Sequence, residues 1–205
     1  DPFLLNPKDS YSQEQLDLSS DKVGLAKKQE INAWSGPFIM ANANTRVVRR
    51  TAALLNLRQE SYGANFTYQE HAFHKSWWSA FKSIIITGIS VLILMSPLKR
   101  AVKPFLPKPG EGPSEDVQEN GWFDCKYLVE AEDGEKSVFN MHAKGDPGYK
   151  VTSKLVSECA LCLVNDFDDL PGGEGYGGVL TSASGLGDVL IKRLRNAGIS
   201  FEGPL

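Results

Sequence analysis

Cysteine is scarce in this 205-residue chain: Cys125, Cys159 and Cys162 are the three present. An odd count without regular spacing excludes a disulfide scaffold and points to a reducing compartment. Histidine is equally scarce. His71 and His74 stand three apart, but no further ligand is nominated near them, so no metal site is expected. No G-x-G-x-x-G follows a strand-like run, and no acidic residue is placed to read a ribose. No cofactor-binding residue is therefore expected in this chain. No signal peptide and no internal repeat are visible. A net charge of only −3 gives no reason to expect nucleic acid as a partner. There is no starting Met, and the abrupt beginning at Asp1 suggests a processed product or a fragment.

What is present is a chain long enough to bury a core without crosslinks, as one large domain or two small ones. Its charge is uneven. Residues 1–110 hold 14 Lys and Arg against 8 Asp and Glu, whereas residues 111–205 hold 8 against 17. The basic half contains the stretch around which the rest is arranged, WWSAFKSIIITGISVLILMSPL at 77–98. Residues 83–98 carry no charge. Lys82 bounds them on one side and Lys99, Arg100 and Lys103 on the other. An apolar run with aromatic and basic flanks is the composition of a membrane-contacting segment, and a basic flank suits anionic lipid. The expected contacts are Trp77, Trp78 and Phe81 at the start and Ile84, Ile85, Ile86 and Ile89 in the middle. Val91, Leu92, Ile93 and Leu94 follow, with Lys99 and Arg100 at the lipid surface. The run reaches the length of a bilayer span, roughly 20 residues, only if 77–98 is one helix and Lys82 snorkels. The competing reading is a buried core helix.

Around this segment the chain divides into five expected parts. Residues 1–30 form a polar, extended or loosely helical arm that borrows order from a neighbour. Residues 31–75 are helix and strand. Asn44 or Thr45 caps a helix whose apolar positions are Val47, Val48, Ala52, Leu54 and Leu55. Arg46, Arg49 and Arg50 form a solvated face, or else Arg46 and Arg49, three apart, make an anion site near the helix start. The alternation over 66–70 predicts a strand. Residues 76–103 are the apolar helix. Residues 104–120, with Pro104, Pro107, Pro109 and Pro113, read as a stiff linker. Residues 121–205 read as compact α+β. Strands at 122–131 and 137–143 are joined at Asp133-Gly134, a hairpin signal. Asp146 before Pro147 fits a helix N-cap, with Leu155, Val156, Cys159, Ala160 and Leu163 on the apolar face of the helix that follows. Thr181 or Ser182 caps a last helix with Leu186, Leu190, Leu194 and Ala197 inward. Gly198 ends it, and residues 199–201 close the sheet as an edge strand. The fold class is therefore α+β, a mixed or antiparallel sheet with packed helices, plus one apolar membrane-contacting or transmembrane helix.

Three other patterns carry no chemistry. Cys159-x-x-Cys162 has redox spacing but falls inside a helix, where no helix start stabilises a thiolate. The glycine run at 172–178 follows acidic residues and opens no helix with a Lys, so it is not a phosphate loop. Ser182 and Ser184 have no His partner nominated for nucleophilic catalysis.

Five segments in order support a family resemblance: WSGPFIMANANTRVVRRTAALL at 34–55, KPGEGPSE at 108–115, GDPGY at 145–149, ECAL at 158–161 and GGVLTSASGLGDVLIKRLRNAGISFE at 177–202. From residue 34 to 202 the chain resembles the C-terminal half of the saccharopine dehydrogenase-like oxidoreductases, which are similar to the trans-acting enoyl reductases. It departs from the family pattern at Ser182, where Pro is usual. The resemblance implies a Rossmann domain first and an α+β domain covering it, and here the Rossmann half is missing. It implies that a nicotinamide cofactor is bound only if that half is supplied by a separate or upstream domain. Asn44, Arg46, Asp146 and Tyr149 are the candidate cleft-lining residues, each with a cap, turn or ion-pair role as the alternative. Membrane lipid or membrane-protein subunits are the other expected partners, at a mitochondrion, plastid or lipid droplet. The expected function is a saccharopine dehydrogenase-like protein without independent oxidoreductase activity. One alternative is a non-catalytic accessory subunit of a respiratory or photosynthetic membrane complex. Another is the substrate-side domain of a split NAD(P)-dependent reductase.

Overall fold

The computed structural model describes residues 1–19, 24–106, 108, 110–173 and 175–204. Residues 20–23 of the expected arm, Pro107 and Pro109 of the expected linker and Glu174 of the glycine run lie outside them. The chain splits into two compact units, Asp1–Leu106 and Pro107–Leu205. Each contains one three-stranded antiparallel sheet, and seven α-helices occur among the described residues. The α and β composition is as the sequence indicated, and every strand pair is antiparallel.

In the first unit the elements run α1 (Gln13–Leu18), β1 (Ala26–Lys28), β2 (Ala33–Gly36), α2 (Ala41–Leu57), β3 (Ala72–His74), α3 (Trp77–Met95) and α4 (Lys99–Val102). β2 is central, with Trp34 opposite Lys27 on one side and His74 on the other. The N-terminal arm is not loose. Ser12 and Gln15 form a reciprocal capping box that starts α1, and Phe3 and Ser19 are buried. What orders the arm is Arg49. Its side chain is 2% exposed, and its guanidinium donates to the carbonyls of Pro2 (3.1 Å), Ser19 (3.1 Å) and Tyr68 (2.9 Å). Arg49 is therefore not part of a wet face.

That contact also corrects the strand expected over 66–70. The Tyr68 carbonyl accepts from Arg49, Tyr68 Oη donates to Glu70, and the strand forms later, at Ala72–His74. The start of α2 differs as well. Residues 38–40 make a turn, and the helix begins at Ala41 behind Met40, which makes no side-chain cap. Asn44 and Thr45 lie inside it, where Thr45 Oγ1 bonds back to the Ala41 carbonyl at 2.7 Å. The buried face is Thr45, Arg49, Thr51, Ala53 and Leu55, while Val47 is exposed.

In the second unit the elements are α5 (Glu115–Asn120), β4 (Trp122–Glu130), β5 (Lys136–Lys144), α6 (Lys150–Asn165), α7 (Ser182–Asn196) and β6 (Ser200–Glu202). The hairpin turns at the expected place, and β6 pairs with β5. Ala143, Val151, Leu194 and Ile199 form the core, with Phe123, Met141, Leu155, Leu190 and Phe201 packed around them. α7 starts at Thr181 in a capping box with Ser184. It kinks at Gly187, where φ is +49° and the Pro171 ring leaves no room for a Cβ without movement. α6 is rotated relative to expectation. Val151, Leu155 and Cys162 face inward, while Val156 and Leu163 are 63% and 55% exposed.

Candidate functional site

The second sheet packs one face on its helices and leaves the other open. Strand alternation turns Phe123, Met141 and Ala143 toward the core, so their neighbours point away from it. The register pairs Trp122 with Lys144 and Asp124 with His142 on that outer face. Asn120, Gly121 and these four residues line an open hollow of about 480 Å³. Gly121 forms its lip by close approach. A Cβ there would lie 2.7 Å from the Val117 carbonyl oxygen and 2.9 Å from the Asp146 amide.

Within the hollow, His142 Nδ1 lies 2.6 Å from Asp124 Oδ1. A carboxylate at Nδ1 fixes the imidazole tautomer and leaves Nε2 to face a ligand. The Trp122 indole stacks beside the imidazole, 6.3 Å between centroids at 26°. The arrangement can hold a proton at Nε2 and offers a planar group an aromatic surface. Sequence reasoning missed this pair. The signal was available, because a hairpin turning at 131–135 places 124 opposite 142.

The four nominated cleft residues do not line this hollow. In the first unit, Asn44 Nδ2 donates to Glu70 Oε2 at 2.9 Å, and Arg46 Nη1 donates to Asn42 Oδ1 (3.2 Å) and Thr45 Oγ1 (3.0 Å). In the second unit, the buried Asp146 carboxylate accepts from the amides of Tyr149 (2.8 Å) and Lys150 (3.2 Å). It starts α6 from outside, since the helix begins at Lys150 and not at Pro147. Tyr149 is exposed, with its ring against Gly112. Each of the four has a structural partner.

Burial pushes the Cys159 and Cys162 thiols up from their ordinary range, and Cys162 is fully buried. Burial, with Lys28 second, pushes His71 down, against a hydrogen bond to the Gly36 backbone. No group of three or more His, Cys, Asp or Glu able to hold a metal occurs among the described residues.

α3 presents a different kind of surface. Among the described residues it is the one helix long and apolar enough to cross a membrane by length and composition, and only 6% of its apolar window is buried. It is therefore not a core helix of this chain. Trp77, Trp78, Phe81, Ile85, Ile86, Ile89, Val91, Leu92 and Leu94 are exposed, as are Lys99 and Arg100, while Ile84 and Ile93 are half-buried. The helix stops at Met95 and not at residue 98, because Ser96 is extended before Pro97. α4 is a separate helix within the 76–103 stretch expected to be one apolar helix, and α5 lies inside the expected linker at 104–120.

No family model matches the chain, and no solved structure matches it. It is 35% identical over 214 residues to a Mycobacterium tuberculosis (strain ATCC 25618 / H37Rv) protein whose name assigns it provisionally to the trans-acting enoyl reductases. The match covers 98% of this chain and 49% of that protein. The trans-acting enoyl reductase of Mycobacterium leprae is 33% identical over 174 residues, covering 81% of this chain and 40% of its own length. That of Mycobacterium ulcerans is 31% identical with the same coverage. The chain is thus a relative of proteins named trans-acting enoyl reductases and spans about half the length of the curated relatives it matches.

Proposed function

We propose that this chain is the part of an enoyl-reductase-type, saccharopine dehydrogenase-like oxidoreductase that does not hold the nucleotide, and that alone it has no oxidoreductase activity. The observation that carries the reading is 35% identity across 98% of the chain to about half of a mycobacterial relative. The residues present do not fit a dinucleotide. Such a cofactor sits on a helix N-terminus after a parallel strand, at a glycine-rich turn. Both sheets among the described residues are antiparallel, and among those residues no strand lies between α6 and α7, where the glycine run falls. No hydride step is therefore assigned to this chain. Its own contribution is the open sheet face, where His142, set by Asp124, can hold a proton near a substrate stacked on Trp122. A nucleotide-binding domain supplied by the same or another polypeptide completes the enzyme.

A second reading, a non-catalytic subunit of a larger complex, is favoured by the outer side of α6. Val164 is 77% exposed there, beside Val156 and Leu163, and Phe167, in the turn that follows the helix, is 68% exposed. An uncovered apolar face of this kind marks a protein contact.

Calorimetric titration with a reduced nicotinamide dinucleotide tests the first reading. The 205-residue chain is expected to show no saturable binding. A saturable one-to-one site on it would contradict the assignment.

A further inference from the structure

We propose that β4 is the docking edge of a symmetric dimer, pairing antiparallel with β4 of a second copy so that two three-stranded sheets become one of six. This goes beyond the oxidoreductase reading and does not depend on it. β4 is an outer strand of its sheet, next to β5. The other outer strands among the described residues, β1, β3 and β6, are three residues each. Edges that short resist pairing with another chain. β4 runs nine residues, pairs one for one with β5 without a bulge, and contains no Pro or Gly. Along it Trp122, Tyr127 and Val129 are exposed although they are large and apolar. A long, straight edge of this kind is a template for a further strand.

Its charges select the occupant. A strand that pairs antiparallel with its own copy does so about a two-fold axis normal to the sheet, and one residue then stands opposite itself. With Asp124 or Lys126 at that centre, identical charges lie directly across. With Tyr127 there, Asp124 meets Glu130. Centres at Phe123 or Leu128 leave residues 125–130 or 122–125 of the strand without a partner. With Cys125 at the centre, Asp124 meets the second copy's Lys126, and Lys126 meets its Asp124. On the same face Trp122 meets Leu128. On the other face Phe123 meets Tyr127, and Val129 lies over Gly121. Opposite charges and aromatic pairs directly across stabilise an antiparallel ladder, and like charges destabilise it. This register gives every exposed apolar residue of β4 a neighbour and every mid-strand charge an opposite one.

The same axis keeps the two outer sheet faces on one side. The second copy's Lys126 therefore comes beside the Asp124 that holds His142, and its Leu128 extends the apolar surface at Trp122. Each hollow acquires part of its rim from the other copy.

Sedimentation velocity of the full chain tests this, run in a non-ionic detergent because α3 is exposed and apolar. The parent is expected at two chains per particle. Asp124→Lys and Lys126→Asp each set like charges across the contact, and each alone should raise the dimer dissociation constant about tenfold or more. An equal mixture of the two variants should restore the dimer, since each then meets its opposite. Both residues are exposed, so the circular dichroism spectrum should not change. Chemical crosslinking of the parent checks the register without touching these charges. Residues directly opposite in an antiparallel pair have Cα atoms about 4.5–5.5 Å apart. A short bismaleimide, which adds one thiol across each of its two double bonds, should link Cys125 to Cys125, and Cys125→Ser should lose the linked peptide. One chain per particle for the parent overturns the dimer and leaves the oxidoreductase reading untouched. A parent dimer that neither charge variant weakens overturns β4 as the contact. A mixture that fails to re-form the dimer, or linked peptides from Cys159 in place of Cys125, overturns the register.

Discussion

Arg49 shows how one residue can organise a unit whose apolar core is small. Three carbonyls from three separate segments converge on its guanidinium, and Phe3 lies beneath it at 5.6 Å. A buried carbonyl that loses its donor costs about 1–3 kcal/mol. Arg49→Met keeps the side-chain length and removes every donor, so it should destabilise the chain by about 3 kcal/mol or more. A urea midpoint measured with unchanged slope checks this, and a loss below about 0.5 kcal/mol would contradict it. The same residue explains a failure of sequence reading. A cluster of three arginines on a helix normally means solvent, and nothing local distinguishes the one that turns inward. Its partners are backbone atoms at positions 2, 19 and 68, and carbonyls leave no mark in a sequence. Asp146 was half legible. Its capping role is visible from Asp-Pro, but its reach of three and four residues to Tyr149 and Lys150 depends on the intervening turn.

At the scale of elements, legibility follows how local the determining physics is. The β4–β5 hairpin is set by Asp133-Gly134, with Gly134 at φ +84°, and α7 by the Thr181 cap and by Gly198 at φ +86°. All lie within a few residues of what they control. α6 has apolar residues around most of its circumference, so its phase is settled by what it packs on. That partner is α7. Arg193 donates to Glu158 Oε2 at 2.8 Å and to Asp166 Oδ2 at 2.9 Å, joining the two helices. These hydrogen bonds and ion pairs hold Arg193 above its ordinary pKa. Arg193→Gln is expected to lower the thermal midpoint. Adding Glu158→Gln or Asp166→Asn should then lower it by less than in the parent. A thermal double-mutant cycle measures the coupling, and strict additivity would show that the contact is incidental. The candidate site was missed for a related reason. His142 and Asp124 are 18 residues apart and meet only through the strand register, several rungs down the ladder from the turn that sets it.

For the whole molecule, two surfaces stand out because this chain does not cover them: the outer side of the second sheet and the length of α3. The sheet face belongs to the oxidoreductase reading. Composition made α3 legible at once, because a charge-free apolar run is conspicuous whatever surrounds it. The division into two units near residue 106 falls in the Pro-rich stretch, where few regular elements form. The chain matches about half the length of its mycobacterial relatives, and both sheets among the described residues are antiparallel.

The central claim is that this chain supplies part of a reductase and not the nucleotide site. Enoyl-thioester-dependent oxidation of a reduced nicotinamide dinucleotide tests it most directly. The assay compares the 205-residue chain alone with the same chain fused to the half of the Mycobacterium tuberculosis relative that lies outside the match. Turnover is expected from the fusion and none from the chain alone. Turnover by the chain alone, or a folded fusion that binds the nucleotide yet never reduces an enoyl thioester, would contradict it.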